Sequence, residues 1–531
     1  MTQENVFPVS RSQMFVEHCL QLVRQKLPVV NAVLERYGDL TIADYLQTLV
    51  PPAVPSHQPR DDLLEVVYHY VAPLLGEPIA RRVVRDLEQT PLVLTANHHG
   101  VEYFAQTFQA RLIFALDALS GQTSRTTVPV FACGNIPLDN VTYPQGLLFY
   151  HADSAHLTVN PQKLPVFPNK LRRWMVSTAP AFTQAMVSNS QSTFNKNLHE
   201  RGISPVLTDT VRQIFEKNYR SPSVLALSRY SDQAVVVNGS LWKQMFTLQR
   251  PAPELAFLEI EKIAASLCER DTLNPESLFW HILFDQTLRE YILDELDGAQ
   301  SCWDKQKLHQ RLHAKETSKK PQIQPQRSGT IFFWGVDHAM RRVPLSLEST
   351  PRGDMLQGLD ASGNTWEIPY TPKSILYNLR EQRLIPSLFT CFSVLAFSRG
   401  LICVGGYFQC DYLPRMQHGL VKALQNTGGW ADTAELVAGV PTNYYIDSMS
   451  TVTIKSDRYL FPAGPLEVIA SGGLHPVDLE RMLSLTVREA HLADMIETVP
   501  DAVSSDQLPV HWKQQVANEC FTLLGGKVVV K

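Results

Sequence analysis

The chain has no Cys-x-x-Cys pair, and its eight cysteines are scattered over 531 residues. That excludes a disulfide scaffold and speaks against a zinc ribbon or a thioredoxin-like site. The N-terminus, MTQENVFPVSRSQMF, lacks the basic start and apolar run of a secretory signal, so cytoplasm is the default expectation. The longest uncharged apolar stretch, LIPSLFTCFSVLAFS at 384–398, falls short of the roughly 20 residues needed to span a bilayer. It reads instead as a buried helix, with a buried strand, LICV, after Arg399-Gly400. Neither a Gly-x-Gly-x-x-Gly turn nor a Walker loop is present, which disfavours nucleotides held by those routes. A Gly-x-Ser-x-Gly nucleophile elbow is also absent. A formal net charge of −4 argues against a nucleic-acid partner bound through a strongly basic surface.

What the chain does have is apolar substance. Hydrophobic residues make up 44% and charged residues 19%, enough buried surface to offset chain entropy over most of the length. Short apolar runs bounded by turn residues, such as PLVLTAN, VPVFAC, GLLFY and LPVF, read as strands. Helical periodicity surrounds them. The expected fold class is α/β or α+β, a mixed sheet with flanking helices in two domains. The expected division is a helical N-terminal segment and linker at 1–60 and an α/β domain with His-rich turns at 61–303. A polar, basic linker or loop follows at 304–328, then a second α/β or α+β domain at 329–531. Single helices are expected at 101–119, 274–298 and from Pro476 to Thr498.

The sharpest local signal is TANHHGVEYF at 95–104, where a buried strand ends on Asn97, His98, His99, Gly100 and Glu102. In open α/β sheets the crevice beyond the carboxyl ends of the strands is the usual ligand site. Two imidazoles and a carboxylate supply a base near neutral pKa and a group to orient it. The expected roles are His98 or His99 as general base, Glu102 as the orienting carboxylate and Asn97 as a positioning amide. Gly100 would let substrate approach the backbone. The plainer alternative is a polar turn whose histidines bond to neighbouring backbone.

This segment partly resembles the glycerolipid acyltransferase family, in which a strand leads to Asn-His, four further residues and an Asp, with the His as base. Asn97-His98 fits that pattern, while Tyr103 stands where the family has its acid. It also partly resembles the double-His motif of peptide-synthetase condensation domains, with His98-His99 followed by three residues and again Tyr103 in place of Asp. Both resemblances are confined to residues 95–104, and both imply acyl transfer with a histidine base.

Three weaker signals lie elsewhere. His151, Asp153 and His156, in YHADSAH, are metal-ligand types at close spacing. Joined with the 95–104 turn they would suit a divalent metal such as zinc, iron or manganese. Cys133 ends the run VPVFAC and reads either as a nucleophile beside a histidine or as a small buried hydrophobe. Asp337-His338, before Arg341-Arg342, would bring a carboxylate or a cationic clamp to the substrate from the second domain. The leading reading is a soluble metabolic enzyme that transfers acyl- or amide-type groups onto a small molecule. Its substrate would be a small-molecule or acyl-carrier-linked compound, and a divalent metal is the one cofactor the sequence leaves open. The alternatives are a metal-dependent hydrolase or oxygenase and a non-catalytic binding or assembly protein.

Overall fold

The computed structural model describes residues 14–51, 56, 60–150, 161–201, 203–313 and 328–531. Helices flank several small sheets, a mixed α and β architecture as the sequence leads one to expect. The sheet that positions the candidate site is parallel and four-stranded. Its strands are β1 (Leu92–Leu94), β2 (Thr127–Ala132), β3 (Glu254–Glu259) and β4 (Ile402–Val404), in the spatial order β4-β1-β2-β3. Nearly every residue of these strands is buried, which matches their continuous apolar runs and the helices that cover a parallel sheet. Leu94 is in register with both Val130 and Val404, so the carboxyl ends of the strands open toward the same side.

The pairing of β1 with β4 bears on the expected division of the chain. Strand Ile402–Val404 comes from beyond the 304–328 segment yet completes the sheet that begins at Leu92. One hydrophobic core runs from Phe15 to Val529. Arg399, wholly buried, ties the two sides together by bonding Asp62 at 2.5 and 2.8 Å and Asp271 at 2.9 and 3.1 Å. The N-terminal helices are not a separate unit either. Ile42 N–H donates to Leu485 O at 2.7 Å, and Val16 N–H to Glu519 Oε2 at 2.7 Å. The linker segment begins with a helix, Lys305–His313, and 314–327 lies outside the described residues.

Three expected single helices are each divided in two, two of them at a side-chain cap. In 274–298, Ser277 Oγ accepts Trp280 N–H and Asp285 Oδ1 accepts Leu288 N–H, giving Leu278–Phe284 and Gln286–Glu295. Near the C-terminus, Thr486 and Glu489 form a capping box between Pro476–Ser484 and Val487–Ala502. The segment 101–119 divides into Ala105–Phe114 and Leu116–Ser120. The helix end at Gly400 stands, with its φ of 64° in the left-handed region. No helix among the described residues is long and apolar enough to cross a membrane.

Four helices frame the site: α1 (Ala105–Phe114), α2 (Tyr230–Gln244), α3 (Ile260–Thr272) and α4 (Tyr407–Thr427). Helix α3 follows β3 with no intervening loop, and α4 follows β4 after Gly405-Gly406.

Candidate functional site

Beyond Leu94 the chain leaves β1 and rejoins the edge of β2. Cys133 N–H donates to Asn97 O at 2.9 Å and His99 N–H donates to Cys133 O at 2.7 Å, with His98 opposite Cys133 in a parallel bridge. Extended backbone sends adjacent side chains to opposite sides. His98 and His99 therefore meet different surroundings.

His99 turns inward and is fully buried. Its ring stacks on Phe257 with centroids 5.7 Å apart, and Nε2 lies 3.1 Å from both Ser231 O and Ser231 Oγ. The Ser231 hydroxyl in turn donates to Glu259 Oε2. Desolvation holds the His99 pKa below its ordinary value, against the pull of the Glu259 carboxylate.

Glu102 is buried as well and does not orient either imidazole. Its Oε2 pairs with Arg111 Nη1 at 2.9 Å, and its Oε1 accepts from Asn97 Nδ2 at 2.5 Å. Arg111 lies enclosed against the rings of Trp242 and Phe257, at 5.3 and 5.5 Å. Asn238 clamps the turn by accepting Glu102 N–H at 3.0 Å and donating to Gly100 O at 2.8 Å. Gly100 has φ of 130°, and a Cβ there would lie 2.8 Å from Pro144 Cβ. Its role is close packing of the turn against Pro144, where no other residue fits.

His98 takes the other side and is only half-buried. Its ring lines two neighbouring cavities, of about 320 and 430 Å³, which also share Cys133 and Leu388. Its Nδ1 is enclosed without a hydrogen-bond partner. Desolvation lowers its pKa to about 4, opposed by a hydrogen bond to the Asn140 side chain, so the ring is neutral near pH 7.

The smaller cavity lies in the crevice between β1 and β4, where the chain passes to β2 and β3 on one side and β4 closes the other. Aromatic side chains dominate it: Phe104, Phe131, Phe392, Tyr407, Phe408 and Tyr412. Asp447 and Asp501 also line it. A Cβ on Gly406 would come within 2.3 Å of Asp447 Oδ2, so the glycine makes room for that carboxyl at the start of α4. Burial raises the Asp447 pKa to about 7, and the nearby Asp501 adds to the shift. The Tyr407 hydroxyl donates to Asp501 Oδ2.

The larger cavity is polar and carries both charge signs, with Glu261, Asp304, Lys307 and Arg342 in its walls. Glu261 accepts Cys133 Sγ–H at 3.0 Å, Gly134 N–H at 2.7 Å and Asn135 N–H at 2.9 Å. Burial and the neighbouring Glu259 raise the Glu261 pKa. Burial and Glu261 together push the Cys133 thiol far above its ordinary value. Cys133 is therefore a protonated donor to Glu261 and a poor nucleophile. Arg342 stacks over Trp334 at 4.7 Å and donates to Asn135 O at 3.0 Å.

Asp337 and His338 line neither cavity. Asp337 Oδ1 accepts Ala339 N–H and Arg341 N–H, each at 2.8 Å, and so closes a hairpin turn. His338 is exposed on that turn. His151, Asp153 and His156 lie outside the described residues. Among the described residues no group of three His, Cys, Asp or Glu side chains is placed to hold a metal ion. Sequence reading missed Asp447, Asp501 and Glu261. The available signal was Gly405-Gly406 directly after LICV, a second strand end facing the first. Comparison with family models, with curated proteins and with solved structures finds no match to this chain.

Proposed function

We propose that the protein is a group-transfer enzyme of the acyl- or amide-forming kind, with His98 as the general base between two substrates. The observation that carries this reading is that one neutral imidazole lines two chambers of different chemistry at the carboxyl ends of a parallel sheet. A transfer reaction needs two binding sites that meet at a proton-accepting group. His98 takes the proton from an acceptor N–H or O–H as the new bond to the acyl carbon forms. The bond from that carbon to its leaving group breaks, and the leaving group receives the proton back from the imidazolium. The two resemblances of the 95–104 segment point to the same chemistry.

The test uses short- and medium-chain acyl thioesters with a panel of amines and alcohols, read by release of free thiol. Transfer should fall about 10²- to 10⁴-fold in His98→Ala, the usual worth of a positioned base. Cys133→Ser should retain most of the activity, because a thiol held protonated by Glu261 does not attack. Thiol release that is unchanged in His98→Ala, or lost specifically in Cys133→Ser with folding intact, overturns this reading.

A further inference from the structure

The aromatic chamber beside His98 has a charge pattern of its own. Two carboxyl groups, Asp447 and Asp501, line it, and no lysine or arginine does so among the described residues. They come from separate parts of the chain: Asp447 lies between the helix Ala431–Ala438 and the strand Val452–Ser456, and Asp501 lies on α5 (Val487–Ala502). Asp447 is half-buried and Asp501 is exposed at the chamber's edge, and a partly desolvated carboxylate favours a cation beside it. Asp447 accepts Ser448 N–H at 2.8 Å and the Tyr407 amide, and Asp501 accepts the Tyr407 hydroxyl. Those are neutral donors, and among the described residues no cationic side chain stands in the walls beside them.

The start of α4 does not supply positive charge either. The first-turn amide of that helix, at Tyr407, is already used by Asp447, so the partial positive charge of the helix end is met within the protein. The polar acceptor Asn97 Oδ1 belongs to a lining residue that is 99% buried, and it has no partner. Around these acceptors stand six aromatic rings, whose faces attract cations. At the rim, Val141 and Phe408 are exposed large hydrophobics, 64% and 48% accessible. An aromatic box with a half-buried carboxyl in its wall, a second carboxyl at its solvent edge and apolar residues at its mouth suits an organic cation.

We infer that this chamber binds an alkylammonium compound with an apolar or aromatic body, and that this amine is the acceptor substrate. Its ammonium would meet the Asp447 and Asp501 carboxylates and its body the rings. The assignment as acceptor rests on the group-transfer reading; the binding does not. To react, the ammonium first gives one proton to the Asp447 carboxylate. The neutral amine then attacks, and its second proton passes through His98 to the leaving group.

The experiment is calorimetric titration of the full chain at pH 8 with three probes of one shape: 2-phenylethylamine, 2-phenylethanol and 3-phenylpropionate. The amine should bind at least about tenfold more tightly than the alcohol, the worth of a desolvated cation–π contact with a charge-assisted hydrogen bond, and the carboxylate weakest of all. Asp447→Asn and Asp501→Asn, which keep an acceptor oxygen, should each remove most of that preference. Val141→Lys tests the same point without disturbing the interior. It places a cation at an exposed rim position and should weaken the amine while leaving the alcohol unchanged. Failure of the amine to bind, equal binding of the alcohol, tighter binding of the carboxylate, or an amine affinity untouched by all three substitutions overturns the inference. Because calorimetry reads binding alone, an amine that binds while thiol release stays absent would count against the transfer reading and leave the amine site standing.

Discussion

The two sides of the 95–104 turn differ in what surrounds their polar groups. On the His99 side, Ser231, Glu259, Asn238, Glu102 and Arg111 bond to one another or to backbone, and the rings of Phe257 and Trp242 close over them. On the His98 side the ring opens onto two cavities. The same residue type, repeated at adjacent positions, is a packed strut in one place and a cavity-lining ring, the proposed base, in the other. The difference is set by backbone direction and by which elements pack behind each ring. A rigid turn is what a positioned base requires, since the groups behind His99 hold the backbone that aims His98.

The strongest test of that contrast is to break the inner side. Glu102→Gln leaves Arg111 buried without its carboxylate partner. Removing one member of a buried pair typically costs about 3–5 kcal/mol, so unfolding in guanidinium should shift by an amount of that size. Arg111→Met in the Glu102→Gln background should recover part of the loss, because no charge is then left unpaired. A near-neutral Glu102→Gln would mean the carboxylate is free to serve chemistry after all, and would restore it as the partner of a histidine.

A direct comparison of the two imidazoles comes next. His99→Ala removes a stacked, hydrogen-bonded ring and leaves Ser231 short of a partner, a loss of about 1–3 kcal/mol. His98→Ala borders open space on two sides and should change stability by no more than about 0.5 kcal/mol while abolishing transfer. Equal destabilisation of the two variants, measured by denaturant unfolding, would erase the distinction between strut and base.

Local chemistry was legible in the sequence where it depended on neighbours in the chain. The strand ending at Leu94 and the helix stop at Gly400 both follow from local residue types. The cavity-lining position of His98 has the same local origin, because it follows a buried strand. Pairings over long separations were not. The register of β1 with β4 joins residues some three hundred positions apart, and nothing in PLVL or LICV specifies that partner. The role of Glu102 was misread because its true partner, Arg111, sits in a helix whose periodicity gave no sign that an arginine would be enclosed. Asp447 escaped notice because its burial depends on Gly406 and α5, which are distant in sequence. Periodicity also could not detect the caps at Asp285 and Thr486, since the apolar pattern continues across them while the hydrogen bonds do not.

The smallest expected effect concerns pH and compares the aromatic chamber with the rest of the interior. Asp447, Glu467 and Glu497 are raised to about 7 chiefly by burial. Between the ordinary carboxylate range and pH 7 the folded chain therefore holds protons that the unfolded chain has released. Stability from these groups is complete at low pH and is lost as pH rises through 7. His98 and His491, lowered to about 4 by desolvation, act in the opposite sense: their share grows as pH rises from 4 to the ordinary histidine value. The two effects oppose each other below about pH 6.5, an ordinary imidazole value, and only the carboxyl effect remains above it. Asp447 faces Asp501, Asp494, Tyr445, Cys410 and the amides of Tyr407 and Ser448, so its titration reflects that whole neighbourhood. Asp447→Asn keeps the neutral shape and removes one titrating proton. Its free energy of unfolding between pH 6.5 and 8 should fall less steeply than that of the unsubstituted chain. The difference in slope should be at most about 1.4 kcal/mol per pH unit, the value for a single proton. Saturating 2-phenylethylamine should flatten the slope of the unsubstituted chain in the same way, because an ammonium beside Asp447 favours the charged carboxylate. Parallel slopes for the variant and the unsubstituted chain would place the titrating carboxyls elsewhere and separate the chamber's acids from the amine they are inferred to hold.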